Sequence, residues 1–167
     1  FNAQTDALLE IAGVLLEMDE SGRLRRGSTN SFHVQPFESA NIEPASIAIT
    51  GIDPHHPLRP ALPEREALRR LFREVRNDLD RYGCTRAILV GHNSFFDLNF
   101  LNVAVERSGV KRNPFHPFSS FDTATPGGVA VGQTVLARAV EALGLSWDSS
   151  AAHSASYDAE KTADLFC

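Results

Sequence analysis

The sequence predicts an α/β domain with a mixed sheet flanked by helices. Three observations carry this: a hairpin pattern at the start, a long amphipathic helix in the middle, and then short apolar strands alternating with helices. The chain has 167 residues, enough for one domain that buries roughly 70% of its unfolded surface. Residues 1–167 are accordingly expected to form a single domain.

Each element has its own signal. In residues 6–18, DALLEIAGVLLEM, Gly13 and the turn sequence DESG at 19–22 favour a strand feeding a hairpin. A second strand is expected near 31–35, SFHVQ. Prolines 36, 44, 54, 57, 60 and 63 mark 41–63 as an ordered excursion with one helical turn at 44–49. Over 64–82, Leu68, Leu71, Phe72, Val75, Leu79 and Tyr82 fall on one helical face, and Gly83 follows as a stop. RAILV at 86–90 reads as a buried strand, 97–108 as a helix closed by Gly109, and FSSFDT at 118–123 as a strand end. Helices are expected at 133–143, stopped by Gly144, and at 155–167. No internal repeat or low-complexity tract is present.

Composition narrows the function class. Apolar residues make up 43% and charged residues 22%, and no apolar run reaches the roughly 18–20 residues a membrane span needs. The start lacks a secretory signal pattern and a methionine, so residue 1 is not expected to be the first codon. Cys84 and Cys167 have no zinc-ligand spacing and allow at most one bridge, and a reducing cytoplasm is the simplest home. The net charge of -5 argues against a phosphate-rich partner, but residues 59–86 hold eight arginines against five acids. From charge alone, a solvated helix face is the better reading of that surplus. Lys111 and Arg112 add a second basic point.

The chemistry gathers around GHNSFFDLNF at 91–100, where an acid stands among phenylalanines at the carboxyl end of a strand. In α/β folds that end opens on the ligand crevice. Asp97 alone fits a helix cap. Near the C-terminus, AHSASYDAEKTADLF places His153 on a loop and Asp158 in the first turns of a helix. Two carboxylates from distant segments and a mobile imidazole suit metal-assisted hydrolysis, with the acids on Mg²⁺ and the histidine taking a proton from water.

HNSFFD and HSASYD resemble the second and third motifs of the DEDDh 3′→5′ exonucleases, a family with a ribonuclease H-like fold. The match runs through FNAQTDALLEIA, SANIEPASIAITGI, KRNPFHPFSSFDTAT and GQTVLARA, and is strongest to a branch that trims the 3′ ends of transfer RNA and other stable RNAs. The resemblance implies Asp97 and Asp158 as metal ligands and His153 as general base. It implies two Mg²⁺ roughly 4 Å apart, Mn²⁺ substituting, and release of nucleoside 5′-monophosphates. It implies base stacking by Phe1, Phe96 and Phe118, although core packing is the ordinary role of a phenylalanine. It implies a homodimer in the cytoplasm whose basic patch, with Arg86, Lys111 and Arg112, delivers RNA to the partner's site. Single-stranded DNA ends are a further substrate.

The family's first motif, D-x-E, lies before the position of Phe1 and is absent here, so the first strand is expected to be missing and the domain truncated at both ends. Glu64-x-Glu66 and Asp78-x-Asp80 have the spacing, but within a helix i and i+2 point to different faces. The expectation is weak metal binding and no turnover by these 167 residues, with apolar surface left exposed. Ala45 and Ile49 stand where the family pattern places an acid and an aromatic, which puts the terminal-base preference in doubt. The alternatives are an inactive domain that holds RNA ends, and a DNA-proofreading exonuclease. A zinc hydrolase is a poor reading, because the six histidines match no ligand spacing.

Overall fold

EIAGVLLEM alternates small and branched apolar residues, and in the computed structural model, which describes residues 1–167, it forms strand β1 (Glu10–Met18). β1 pairs antiparallel with β2 (Leu24–His33), from Glu10 opposite His33 to Met18 opposite Leu24, with a bulge between Val14 and Leu16. Asp19 organises the turn by accepting from the Ser21 and Arg23 amides and pairing with Arg25 at 2.6 Å. β2 starts well before the expected residue 31. LRRGSTN is too polar to show a strand pattern, but Arg26 and Thr29 are bonded to the last helix, at Asp164 (3.1 Å) and Glu160 (2.8 Å).

The excursion contains helix α1 (Pro44–Thr50), with proline in its first turn, where the missing N–H costs nothing. Helix α2 (Glu64–Tyr82) follows the predicted bounds. β3 (Ala87–Gly91), α3 (Ser94–Ser108) and β4 (Phe115–Asp122) then form a parallel β-α-β unit, with Leu89 to Gly91 registered against Ser120 to Asp122. The sheet is therefore mixed in character but consists of two ladders, β1-β2 and β3-β4, not hydrogen-bonded to one another. α5 (Leu136–Ala142) and α6 (Ala155–Phe166) complete the expected set, and α6 packs on β1, β2 and β3.

One helix was not foreseen. α4 (Ala124–Val131) is built from ATPGGVAV, a sequence of breakers. Tertiary contacts override propensity there: Gly127 is buried, and a Cβ on it would stand 2.8 Å from the Gln133 carbonyl oxygen.

The core joins α2 to α3 through Leu68, Phe72, Leu101 and Ala104, with Ile11, Leu89 and Phe115 packed around them. Phe72 is fully buried and meets Phe115 edge-on at 6.1 Å. Truncating it to alanine would cost about 3–5 kcal/mol. Beside this core, Arg107 of α3 makes a two-pronged pair with buried Glu64 of α2 (2.5 and 3.1 Å), donates to the Ala3 carbonyl at 3.1 Å and lies over the Phe37 ring. This staple holds the N-terminal segment against both helices. It also removes Glu64 from any metal role, as the Arg70 pair does for Glu66.

Candidate active site

The chain leaves β3 at Gly91 and enters α3 three residues later, and that tightness dictates its composition. A Cβ on Gly91 would lie 2.9 Å from both the Ser94 Cα and an Asp97 carboxylate oxygen, so only glycine fits. Asn93 caps the helix with φ 65°, a left-handed conformation that asparagine tolerates. The exposed amides of the turn are taken by Asp122, at the end of β4. Its carboxylate accepts from the Asn93 and Ala124 amides (both 2.9 Å) and the Ser94 amide (3.1 Å). One carboxylate thus anchors the N-termini of α3 and α4 together. Sequence reasoning missed this residue; its one signal was an acid at the end of a strand, in FDT.

Asp97 occupies the first turn of α3. Its side chain is exposed to solvent, yet neighbouring protein atoms crowd its carboxylate, the Gly91 turn among them. This burial, with a smaller push from the Asp122 charge, raises its pKa to about 6. Asp158 lies in the first turn of α6, half-buried, and burial raises its pKa as well. No lysine or arginine pairs with either acid.

His153 is exposed and adopts φ 69°. Its backbone N–H donates to Asp158 at 3.3 Å, which brings these two predicted residues together. The loop before α6 is held by Asp148, which accepts from Ser150, and by the Asp148 amide donating to the Tyr157 hydroxyl at 2.5 Å. Ser154 caps α6 by accepting from the Tyr157 amide. The imidazole itself makes no hydrogen bond to protein, so the loop fixes the backbone of His153 and leaves its ring free.

Of the three phenylalanines, Phe1 and Phe96 meet edge-on at 5.7 Å, and Phe96 also contacts Phe100. Phe118 stands apart from them, against His116. Their exposures of 81%, 40% and 80% for Phe1, Phe96 and Phe118 rule out the core role that composition favoured. Arg86, Lys111 and Arg112 gather around the loop between α3 and β4, where Arg86 donates to the Asn113 carbonyl. Ala45 and Ile49, one turn apart on α1, are both exposed.

The donor chemistry of a metal site is partly present. Asp97 and Asp158 sit on α3 and α6, both of which pack on β3. Both are anionic oxygen donors whose surroundings offer no compensating cation, which fits a hard divalent ion. They would be two ligands of a larger set: nowhere do three His, Cys, Asp or Glu side chains converge to hold an ion.

The chain is similar to known proteins along its whole length. The sequence profile of the exonuclease family (RNase_T) matches residues 1–166. The ribonuclease T of Photorhabdus laumondii is 55% identical over all 167 residues, which span 77% of that protein. The ribonuclease T of Marinobacter nauticus is 56% identical over the same length, 76% of its own. Among solved structures, a 3′-exonuclease described in 3′-end specific recognition of a histone mRNA stem-loop superposes with a TM-score of 0.65. It covers 96% of this chain and 81% of its own, at 18% identity, a likeness of fold.

Proposed function

The chain belongs to the exonuclease family, in its ribonuclease T branch, and is a 3′→5′ exoribonuclease; from that premise we propose that Asp97, Asp158 and His153 form its catalytic group and that it trims the 3′ ends of transfer RNA and other stable RNAs, single-stranded DNA ends included. The observation that carries the assignment is Asp97: an exposed carboxylate without a cationic partner, at the start of α3 and next to Phe96, whose ring meets the exposed Phe1.

The family is divalent-metal dependent, and we assign Mg²⁺, with Mn²⁺ as substitute, from the all-oxygen donors. Asp97 and Asp158 would hold it. When bound, the ions lower the pKa of water and stabilise charge on the phosphate. The chain's own residues do the rest. His153, free at both ring nitrogens, accepts the proton of the attacking water. Phe1 and Phe96 receive the terminal base on their faces and fix the last phosphodiester above Asp97, and Phe118 stacks on a neighbouring base. Ile49, 56% exposed, offers an apolar wall without stacking, so discrimination among terminal bases is weaker than with an aromatic there.

Arg86, Lys111 and Arg112 are the delivering patch, with the chain acting as a homodimer in the cytoplasm and residues 1–167 as one exonuclease domain. No helix is long and apolar enough to cross a membrane. The test is release of nucleoside 5′-monophosphate from a single-stranded 3′ tail by the full-length protein. Asp97→Asn should lower it by on the order of 10³-fold, since metal-assisted charge stabilisation supplies several kcal/mol. Near-normal release would overturn the assignment.

A further inference from the structure

β1 opens with an acid where most of the strand is apolar. The Glu10 side chain is only 12% exposed and forms no close ion pair: His33, opposite it on β2, stands 3.9 Å away. A carboxylate buried to that degree needs a hydrogen-bond donor. Glu10 finds one 145 residues along the chain, accepting from the Ala155 amide at 2.8 Å. Ala155 is the first residue of α6, so the carboxylate meets an N–H that has no partner inside the helix, at the positive end of the helix dipole. The strand end that carries Glu10 is itself firmly set. Arg59 donates to the carbonyls of Leu9 and Val34, the residues beside Glu10 and His33.

His153 lies two residues before the Ala155 amide, and its φ of 69° is a conformation that a histidine keeps only where its surroundings enforce it. Of the hydrogen bonds made by residues 148–155, the one to Glu10 alone reaches a strand; the others stay within the loop and the start of α6. Further along, α6 is bonded to β2 through Glu160 and Asp164. Loss of the Glu10 carboxylate would therefore free the entry to α6, with His153, and leave the body of the helix in place.

We infer that Glu10 is a positioning residue for the hydrolysis: it holds the first amide of α6 against β1 and so fixes the pivot from which His153 addresses the attacking water. The inference rests on the proposed function for the role of His153. What the position demands is an acceptor oxygen at the reach of a glutamate side chain; the charge strengthens the bond without defining it. Displacing a reacting group by about 1 Å costs on the order of 10²-fold in rate.

The experiment joins steady-state release of nucleoside 5′-monophosphate by the full-length protein to hydrogen exchange of the Ala155 amide, read by NMR in EDTA. Glu10→Ala removes the carboxylate and Glu10→Asp withdraws it by one methylene. Each should lower kcat by about 10–100-fold with KM within about twofold of wild type. Each should also speed exchange at Ala155 by about tenfold or more. Glu10→Gln keeps an oxygen at the same reach and should hold kcat within about threefold of wild type, with slow exchange preserved. In a His153→Ala background, Glu10→Ala should cost less than about threefold, because residues that act through one another are not additive. If the alanine variant does not fold, the aspartate and glutamine variants carry the comparison. A glutamine variant as slow as the aspartate one, a raised KM with kcat unchanged, or the full loss repeated in the His153→Ala background would each overturn the inference. So would wild-type exchange at Ala155 in Glu10→Asp. Failure of the functional reading is separable: His153→Ala at the wild-type rate defeats that reading, while the exchange measurement still reports on the Glu10 bond.

Discussion

The two sides of the proposed catalytic site, on α3 and before α6, are built on opposite plans. On the α3 side, Asp97 is held by close packing at Gly91 and by the Asp122 carboxylate, which ties three backbone amides at once. On the α6 side, His153 sits on a loop in a left-handed conformation, attached to Asp158 by one amide bond of 3.3 Å. A metal ligand gains from rigidity, because coordination tolerates small errors badly. A proton acceptor must approach water and then withdraw, and a free ring on a constrained backbone allows both. The difference teaches that the proposed ligands, Asp97 and Asp158, both sit in first turns of helices, while precision was left out of the loop that carries the proposed base, His153.

The comparison can be broken most sharply at His153. His153→Ala in the full-length protein should slow monophosphate release by about 10²–10⁴-fold, the usual share of a general base. Its unfolding free energy should stay within about 0.5 kcal/mol of wild type, as for an exposed side chain with no partner. A large loss of stability in denaturant titration would mean that the loop is as structural as the α3 side. Gly91→Ala makes the reverse test. With backbone 2.9 Å from the added methyl, it should destabilise by about 1–3 kcal/mol in the same titration. An unchanged midpoint would show that the turn is not tight.

The smallest effect is a pH dependence. The pKa of Asp97 is raised, so the folded state favours its neutral form; this contribution is fully present below about pH 4 and is lost as pH rises through about 6. A shift of this size would be worth more in a sealed site, but Asp97 is open to solvent, and screening reduces it to on the order of 1 kcal/mol. In EDTA, unfolding measured between pH 4 and 7 should show this decline in wild type and not in Asp97→Asn. Parallel curves would place the charge of Asp97 outside the crevice.

How much of this could be read in the chain depends on where the determining contact lies. α2 was legible to the residue because its apolar stripe and its Gly83 stop, at φ 63°, are local signals. α4 was not, because Pro126, Gly127 and Gly128 spell a loop, and what makes them helical is the Asp122 carboxylate and a close approach to Gln133. The early half of β2 hid behind its polar residues. In the site, the motifs offered Asp97, His153 and Asp158 as candidates, while the raised pKa of Asp97 and the backbone of His153 follow from packing that no spacing encodes. The arginine surplus was countable from sequence, but which arginines lack an acid is a fact of three dimensions.

The Arg107 staple has a reach beyond stability. Its bond to the Ala3 carbonyl lies two residues from Phe1, whose ring meets Phe96. The placement of Phe1, part of the proposed platform for the terminal base, is thus inherited from an ion pair between Glu64 and Arg107, in the body of the protein. With Phe1 and Phe96 as the proposed platform, a change that loosens the Glu64–Arg107 pair is expected to alter selectivity at the 3′ end as well as the cohesion of α2 and α3.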